Sequence, residues 1–182
     1  MNLRRGFKSE SNRWSRDLRH EMNIRFHDPI CPWKLCEHLE IPVISTDFFA
    51  LYNPEHVLYL YSEQGRSEFS ALTLDIDGRR HIIHNSSHNI KRQASNISHE
   101  IAHALLMHPI PLMLDKHGNR IYNVEIEDEA NWLGPALLIS DEAAMHIVES
   151  KMSIHQASDY FSVTKEVIQM RINVSGARKR AA

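Results

Sequence analysis

Cysteine is scarce. The 182-residue chain has two, Cys31 and Cys36. At that spacing a helix puts them on different faces, so a disulfide scaffold is excluded and reduced thiols are expected. No single sign of charge dominates. The formal net charge is −2 and the pI is near 6.7, which excludes a protein built to coat nucleic acid, although local basic patches remain compatible with it. Long apolar runs are missing too: none reaches the roughly 18 residues of a membrane span. Met1 to Lys8 carry charge, but no secretory apolar stretch follows. These absences describe a soluble cytoplasmic protein without a membrane segment. Hydrophobic residues make up an ordinary 42%, enough for a buried core, and the length suits one domain with a small appendage.

Histidine is plentiful, with 13 residues. Three features of Ser98–His108 stand out: His99, Glu100 and His103 spell H-E-x-x-H. Chance would produce that pattern on the order of 0.1 times in such a composition. Residues i and i+4 share a helix face, so His99 and His103 can turn two imidazoles towards one metal ion. Glu100 is rotated by about 100°, placed to reach a water on that ion rather than to ligate it. Zinc suits two neutral nitrogens, a third protein ligand and an open position; it acidifies a water, and Glu100 can take the proton. The alternative is a His-rich helix with an accidental spacing. Ile97, Ile101, Ala104, Leu105 and Leu106 make the helix otherwise apolar, which would leave two unpartnered histidines in an awkward setting.

Taken in order, residues 9–26 read as a helix with Trp14, Leu18 and Met22 in its apolar stripe. Arg13, Arg16, Arg19 and Glu21 read as its solvated side. Asp28-Pro29 breaks it, and Pro32 opens a short helix through Leu39. Pro42 to Ile44 reads as a strand, as do 57–62, 69–76 and 80–84, with Asp77-Gly78 as a hairpin turn. The metal helix spans about Lys91 to Met107 and is stopped by Pro109 and Pro111. Residues 112–123 read as a loop around Gly118. A second long helix covers about Asn123 to Leu138, and Ser140-Asp141-Glu142 starts another. Two short helical patterns follow, joined by Phe161 to Thr164, and Arg178-Lys179-Arg180 reads as a frayed basic tail.

The second helix offers the third ligand. Glu127 and Asn131 share a face, so Glu127 can supply an oxygen while Asn131 accepts a hydrogen bond from a ligand histidine. Glu125 and Glu129 fall on other faces and read as solvated. An acidic surface helix with no ligand is the competing reading. His108 is a rival, but it follows His103 by five residues rather than six, and Leu106 occupies the glycine position of H-E-x-x-H-x-x-G-x-x-H. It reads instead as a histidine at a helix C-terminus.

The run Arg92 to His108, then Glu127-Asp128-Glu129-Ala130-Asn131, then Leu137-Leu138-Ile139, resembles the ImmA/IrrE metallopeptidases. Arg5 to Lys8 and the segments Phe161 to Thr164 and Arg171 to Gly176 are similar to the same family. The chain departs from it at Leu133-Gly134, where Phe-Ala is frequent; at Ser140, where Pro is frequent; and at Phe161-Ser162-Val163-Thr164, where Phe-Gly-Val-Ser is frequent. The resemblance implies an α+β fold. Its small, mostly antiparallel sheet packs on a zincin-type helix and a second ligand-bearing helix, and a C-terminal helix pair resembles a helix-turn-helix. Residues 1–149 would form the metallopeptidase domain and 150–182 the helical appendage with its tail. The resemblance also implies one zinc ion on His99, His103 and Glu127, with Glu100 as the base of a gluzincin-like endopeptidase. Manganese accepts the same donors. The implied substrate is a helix-turn-helix repressor. The alternatives are a non-catalytic or signal-gated partner of a repressor or antitoxin, and a regulator that contacts DNA. For the latter, Ile154, Phe161, Val163, Val167, Ile168 and Ile172 fit a helix-turn-helix core, with Arg171 basic. A packing pair without DNA contact is the favoured reading, because Thr164 to Asn173 carries few basic side chains. His84, His88, His117 and Tyr122 are the residue types available as an oxyanion donor.

Overall fold

A computed structural model describes residues 2–110 and 123–181. The expected loop at 112–123, with His117 and Tyr122, lies almost wholly outside the described residues. Helix α1 (Phe7–Glu21) starts after Gly6, whose φ of 85° suits glycine. It ends earlier than the Asp28-Pro29 signal implies, because Asn23 adopts φ 55° and Ile24 N–H bonds back to the Arg19 carbonyl. Pro32 sits in the first turn of α2 (Pro32–His38). Cys31 is exposed, Cys36 is buried, and both are free thiols.

Strands β1 (Val43–Ser45), β2 (Ala71–Ile76) and β3 (Arg79–His84) form one sheet in the order β1-β3-β2. β3 pairs antiparallel with β2, placing Thr73 opposite Ile82, and parallel with β1. Asp77 and Gly78 both have positive φ, as a tight hairpin requires. The sheet is therefore mixed, and the longer of its two pairings is antiparallel.

The expected strand at 57–62 is a helix. After a 3₁₀ turn (Thr46–Leu51), α3 (Pro54–Tyr61) begins with proline in its first turn, and α4 (Glu63–Glu68) is capped by the Ser62 hydroxyl. Val57 to Tyr61 is apolar at every position, so its pattern has no period, and the start signal at Pro54 decides its conformation. Only Val57 of this run is buried; Leu58 is 70% exposed.

The main layer consists of α5 (Ile90–Leu105) packed on α6 (Val124–Leu138), with α1 against α6 and the sheet against α5. Asn89 and Asn123 cap the two helices through their side chains. Ser140 caps α7 (Asp141–Glu149) as the sequence suggests. Helices α8 (Ile154–Phe161) and α9 (Lys165–Ser175) follow. The basic tail is not frayed: Gly176, at φ 69°, turns the chain into α10 (Ala177–Arg180), and Ala177 is buried. Phe7, Leu35, Ile82, Ile101, Leu133, Leu137, Ile147, Phe161 and Ile172 belong to one buried cluster.

Two arginines read as solvent-facing or basic are in the core. Arg19 and Arg171 are 0% and 1% exposed. Both serve the C-terminal end of α6, where carbonyls lack helical partners. Arg19 donates to the Leu138 carbonyl, Arg171 Nε donates to the Ile139 carbonyl at 2.8 Å, and Ser15 donates to the Ala136 carbonyl. The negative end of the helix dipole favours these cations. Burial pushes the Arg19 guanidinium down to about 10, which leaves it charged at neutral pH. Arg171 also pairs with Asp141 at 2.7 Å. Replacing it, as in Arg171→Met, strips two acceptors of their donor and is expected to cost about 3 kcal/mol. This would appear as a lower urea midpoint at unchanged slope. An unchanged midpoint would mean that water satisfies both acceptors.

Candidate metal centre

α5 and α6 approach unusually closely beside His99. A Cβ on Gly134 would stand 3.1 Å from the His99 Cα. The adjacent Ser98 hydroxyl donates to the Gly134 carbonyl at 2.9 Å and is fully buried. Glycine, the residue that departs from the family's frequent alanine, leaves room for this crossing. The crossing brings the first turns of α6 onto the histidine face of α5.

Three donor atoms converge there. His99 Nε2 and His103 Nε2 are 3.0 Å apart, and the Glu127 carboxylate oxygens lie 3.3 Å from His99 Nε2 and 3.6 Å from His103 Nε2. Tetrahedral ligands held at bond lengths near 2.0–2.1 Å are separated by about 3.3 Å. The three measured distances, of which the two to Glu127 run to different oxygens, scatter around that value. Within the triad, a hydrogen bond can satisfy the facing nitrogens only pairwise, whereas one cation satisfies all three donor atoms together. Among the described residues this is the one His/Cys/Asp/Glu group with metal-ligand spacing. Hydrogen bonding to His103, then to His99, holds the Glu127 carboxyl well below the usual carboxylate range, so it is an anion at neutral pH. The three side chains are 14–27% exposed.

Glu100 projects towards the sheet. It is 7% exposed, and the buried Thr73 hydroxyl of β2 donates to its Oε2 at 2.6 Å. One carboxylate oxygen thereby has a fixed partner on the sheet. Sequence reasoning missed Thr73, since nothing marks a strand threonine as facing a particular helix turn.

Asn131 is not the imidazole's partner. It is exposed and makes no hydrogen bond among the described residues. The outer nitrogen of His103, Nδ1, instead meets His108 Nδ1 at 2.9 Å, and His108 Nε2 meets Glu129 Oε2 at 3.3 Å. Glu129, read as solvated, accepts from Arg4 Nε at 2.8 Å. Burial lowers the His108 pKa, against the opposing pull of Glu129. His84 lies buried edge-on to Trp33, and its Nδ1 has no hydrogen-bond partner among the described residues. His88 is buried with its Nε2 near the Phe69 carbonyl. Neither contact singles out an oxyanion donor.

An α+β chain that joins an H-E-x-x-H helix to a carboxylate from the next helix has the build of a metallopeptidase. Residues 36–173 match the family model of the IrrE N-terminal-like domain, peptidase family M78. The chain belongs to this metallopeptidase family. No curated protein and no solved structure matches it significantly. No helix among the described residues is long and apolar enough to cross a membrane.

If Glu127 completes the ligand set, Glu127→Ala should weaken metal binding more than about 100-fold, a larger loss than outer contacts produce. Glu125→Ala, at an exposed position one turn-face away, should change it little. Metal titration against a chromophoric chelator measures both, and equal losses would remove Glu127 from the set.

Proposed function

We propose that this protein is a zinc-dependent, gluzincin-like endopeptidase that cuts a helix-turn-helix transcriptional repressor at one site. The observation that carries the catalytic part is the convergence of His99, His103 and Glu127, with Glu100, next to His99 in sequence, anchored by Thr73. His99, His103 and Glu127 would hold the ion. When bound, it supplies Lewis acidity to the scissile carbonyl and acidifies a water. Glu100 takes a proton from the attacking water and delivers it to the leaving nitrogen. Thr73 keeps the carboxylate at one angle during both transfers. Manganese would accept the same donors.

The repressor substrate rests on the likeness to ImmA/IrrE peptidases, and a cytoplasmic location accords with it. A DNA-reading role for 150–182 finds little support, since Arg171 is spent inside the protein on Ile139 and Asp141. We infer that this segment is a brace for α6 and α7 rather than a nucleic-acid reader.

Intact-mass analysis of zinc-loaded protein mixed with a helix-turn-helix repressor encoded beside it tests the proposal. One cut is expected, and Glu100→Gln should slow it by about 10²–10⁴-fold with metal retained. A full rate in that variant would dismiss Glu100 as the base. No cut by metal-loaded protein would favour a gated or non-catalytic partner. Thr73→Val should lower kcat about tenfold, the worth of one hydrogen bond to a charged group, at unchanged metal affinity. An unchanged kcat would leave Thr73 a packing residue.

A further inference from the structure

His108 sits where no helix spacing would place it. Met107 adopts φ 54°, a left-handed conformation that glycine usually supplies, and is 78% exposed. Its turn folds the chain back, so that His108 N–H donates to the His103 carbonyl at 3.0 Å. Arg80 of β3 clamps the same turn by donating to the His108 carbonyl at 2.6 Å. The backbone thus aims a buried imidazole at the back of a candidate metal ligand.

The proton positions along this contact follow from the metal reading. An ion on His103 Nε2 would take that nitrogen's lone pair, so the ring proton belongs on Nδ1. The 2.9 Å contact then requires His108 Nδ1 to accept. That places the His108 proton on Nε2, where Glu129 Oε2 can receive it. The other oxygen of Glu129 accepts from Arg4 Nε, and Arg4 is held by both oxygens of Glu10. Each link has one donor and one acceptor, and the direction is uniform from His103 out to Glu129.

Building on the metal reading above, we propose that His108 and Glu129 are positioning residues for the metal ligand His103: they fix its tautomer and ring plane and raise the donor strength of its Nε2. This is the task the sequence assigns to Asn131. It is performed here by a residue five positions further along the same segment as His103. The far end of the chain of contacts, Arg4 and Glu10, precedes the span matched by the family model. The N-terminal segment therefore supports the centre as well as the core.

The test is zinc affinity, measured by competition with a chromophoric chelator, alongside thermal melting of the metal-free protein. His108→Leu should weaken zinc binding 10–100-fold, the range for loss of a ligand's outer partner. His108→Asn puts an amide oxygen near the place of Nδ1 and should stay within about fivefold of wild type. Asn131→Ala should bind like wild type. Metal-free melting should not follow this order, since a merely structural role would move melting and affinity together. If His108→Leu does not fold, Glu129→Leu takes its place and should also weaken zinc binding. Wild-type affinity in the leucine variant, equal losses for leucine and asparagine, or a loss confined to Asn131→Ala would each overturn the proposal. In all three, wild type still binds zinc and the metal centre stands. Failure of wild type to bind zinc would overturn the metal reading, and this inference with it.

Discussion

The close crossing of α5 and α6 at Gly134 is the constraint on which the site depends. Glu127 meets His99 and His103 because two backbones approach to a distance that forbids a comfortable Cβ. α6 is a poor helix by propensity at that point. Gly134 and Pro135 lie side by side in its interior, at intrinsic costs of about 1 and 3 kcal/mol relative to alanine. Tertiary contacts offset this. The Ser98 hydroxyl takes the Gly134 carbonyl, and Ser15, Arg19 and Arg171 take carbonyls near the C-terminal end. Helix α6 is thus held at its end by α1 and α9 and in its middle by α5. Elements far from the metal cluster in sequence decide where Glu127 stands.

Much of this was legible in the sequence. H-E-x-x-H located the two histidines because a single helix face is a local property, set by 3.6 residues per turn. The cap at Ser140 and the Asp77-Gly78 hairpin are likewise local, and the structure has them. What escaped depends on contacts between distant segments. Arg19 looked like one more charged side chain on a basic face, and only the carbonyls at the end of α6 explain its burial. Thr73 acquires its role only once β2 lies over α5. At 57–62 local information existed but was ambiguous: an unbroken apolar run has no period, and Pro54 carried the decisive signal.

His108 is the sharpest case. Spacing read it as a helix C-terminal histidine rather than a metal ligand, and it lies one hydrogen bond behind the candidate ligand His103. A helical extension of α5 would have carried it elsewhere. The left-handed residue at Met107 reverses the chain within one turn, and a methionine gives no sequence sign of that conformation, as a glycine would have. Asn131, which did carry a sequence sign, faces solvent.

The electrostatics of the junction follow from the same geometry. His103 lies in the last turn of α5, where unpaired carbonyls make the helix end negative and favour a bound cation. Glu127 lies near the start of α6, where free N–H groups make the end positive and favour a carboxylate. The negative end of one helix would therefore face a bound cation, while the positive end of the next favours an ionised Glu127. Reversing either helix would set its own dipole against the site. Moving α6 away from the close packing at Gly134 would carry Glu127 with it.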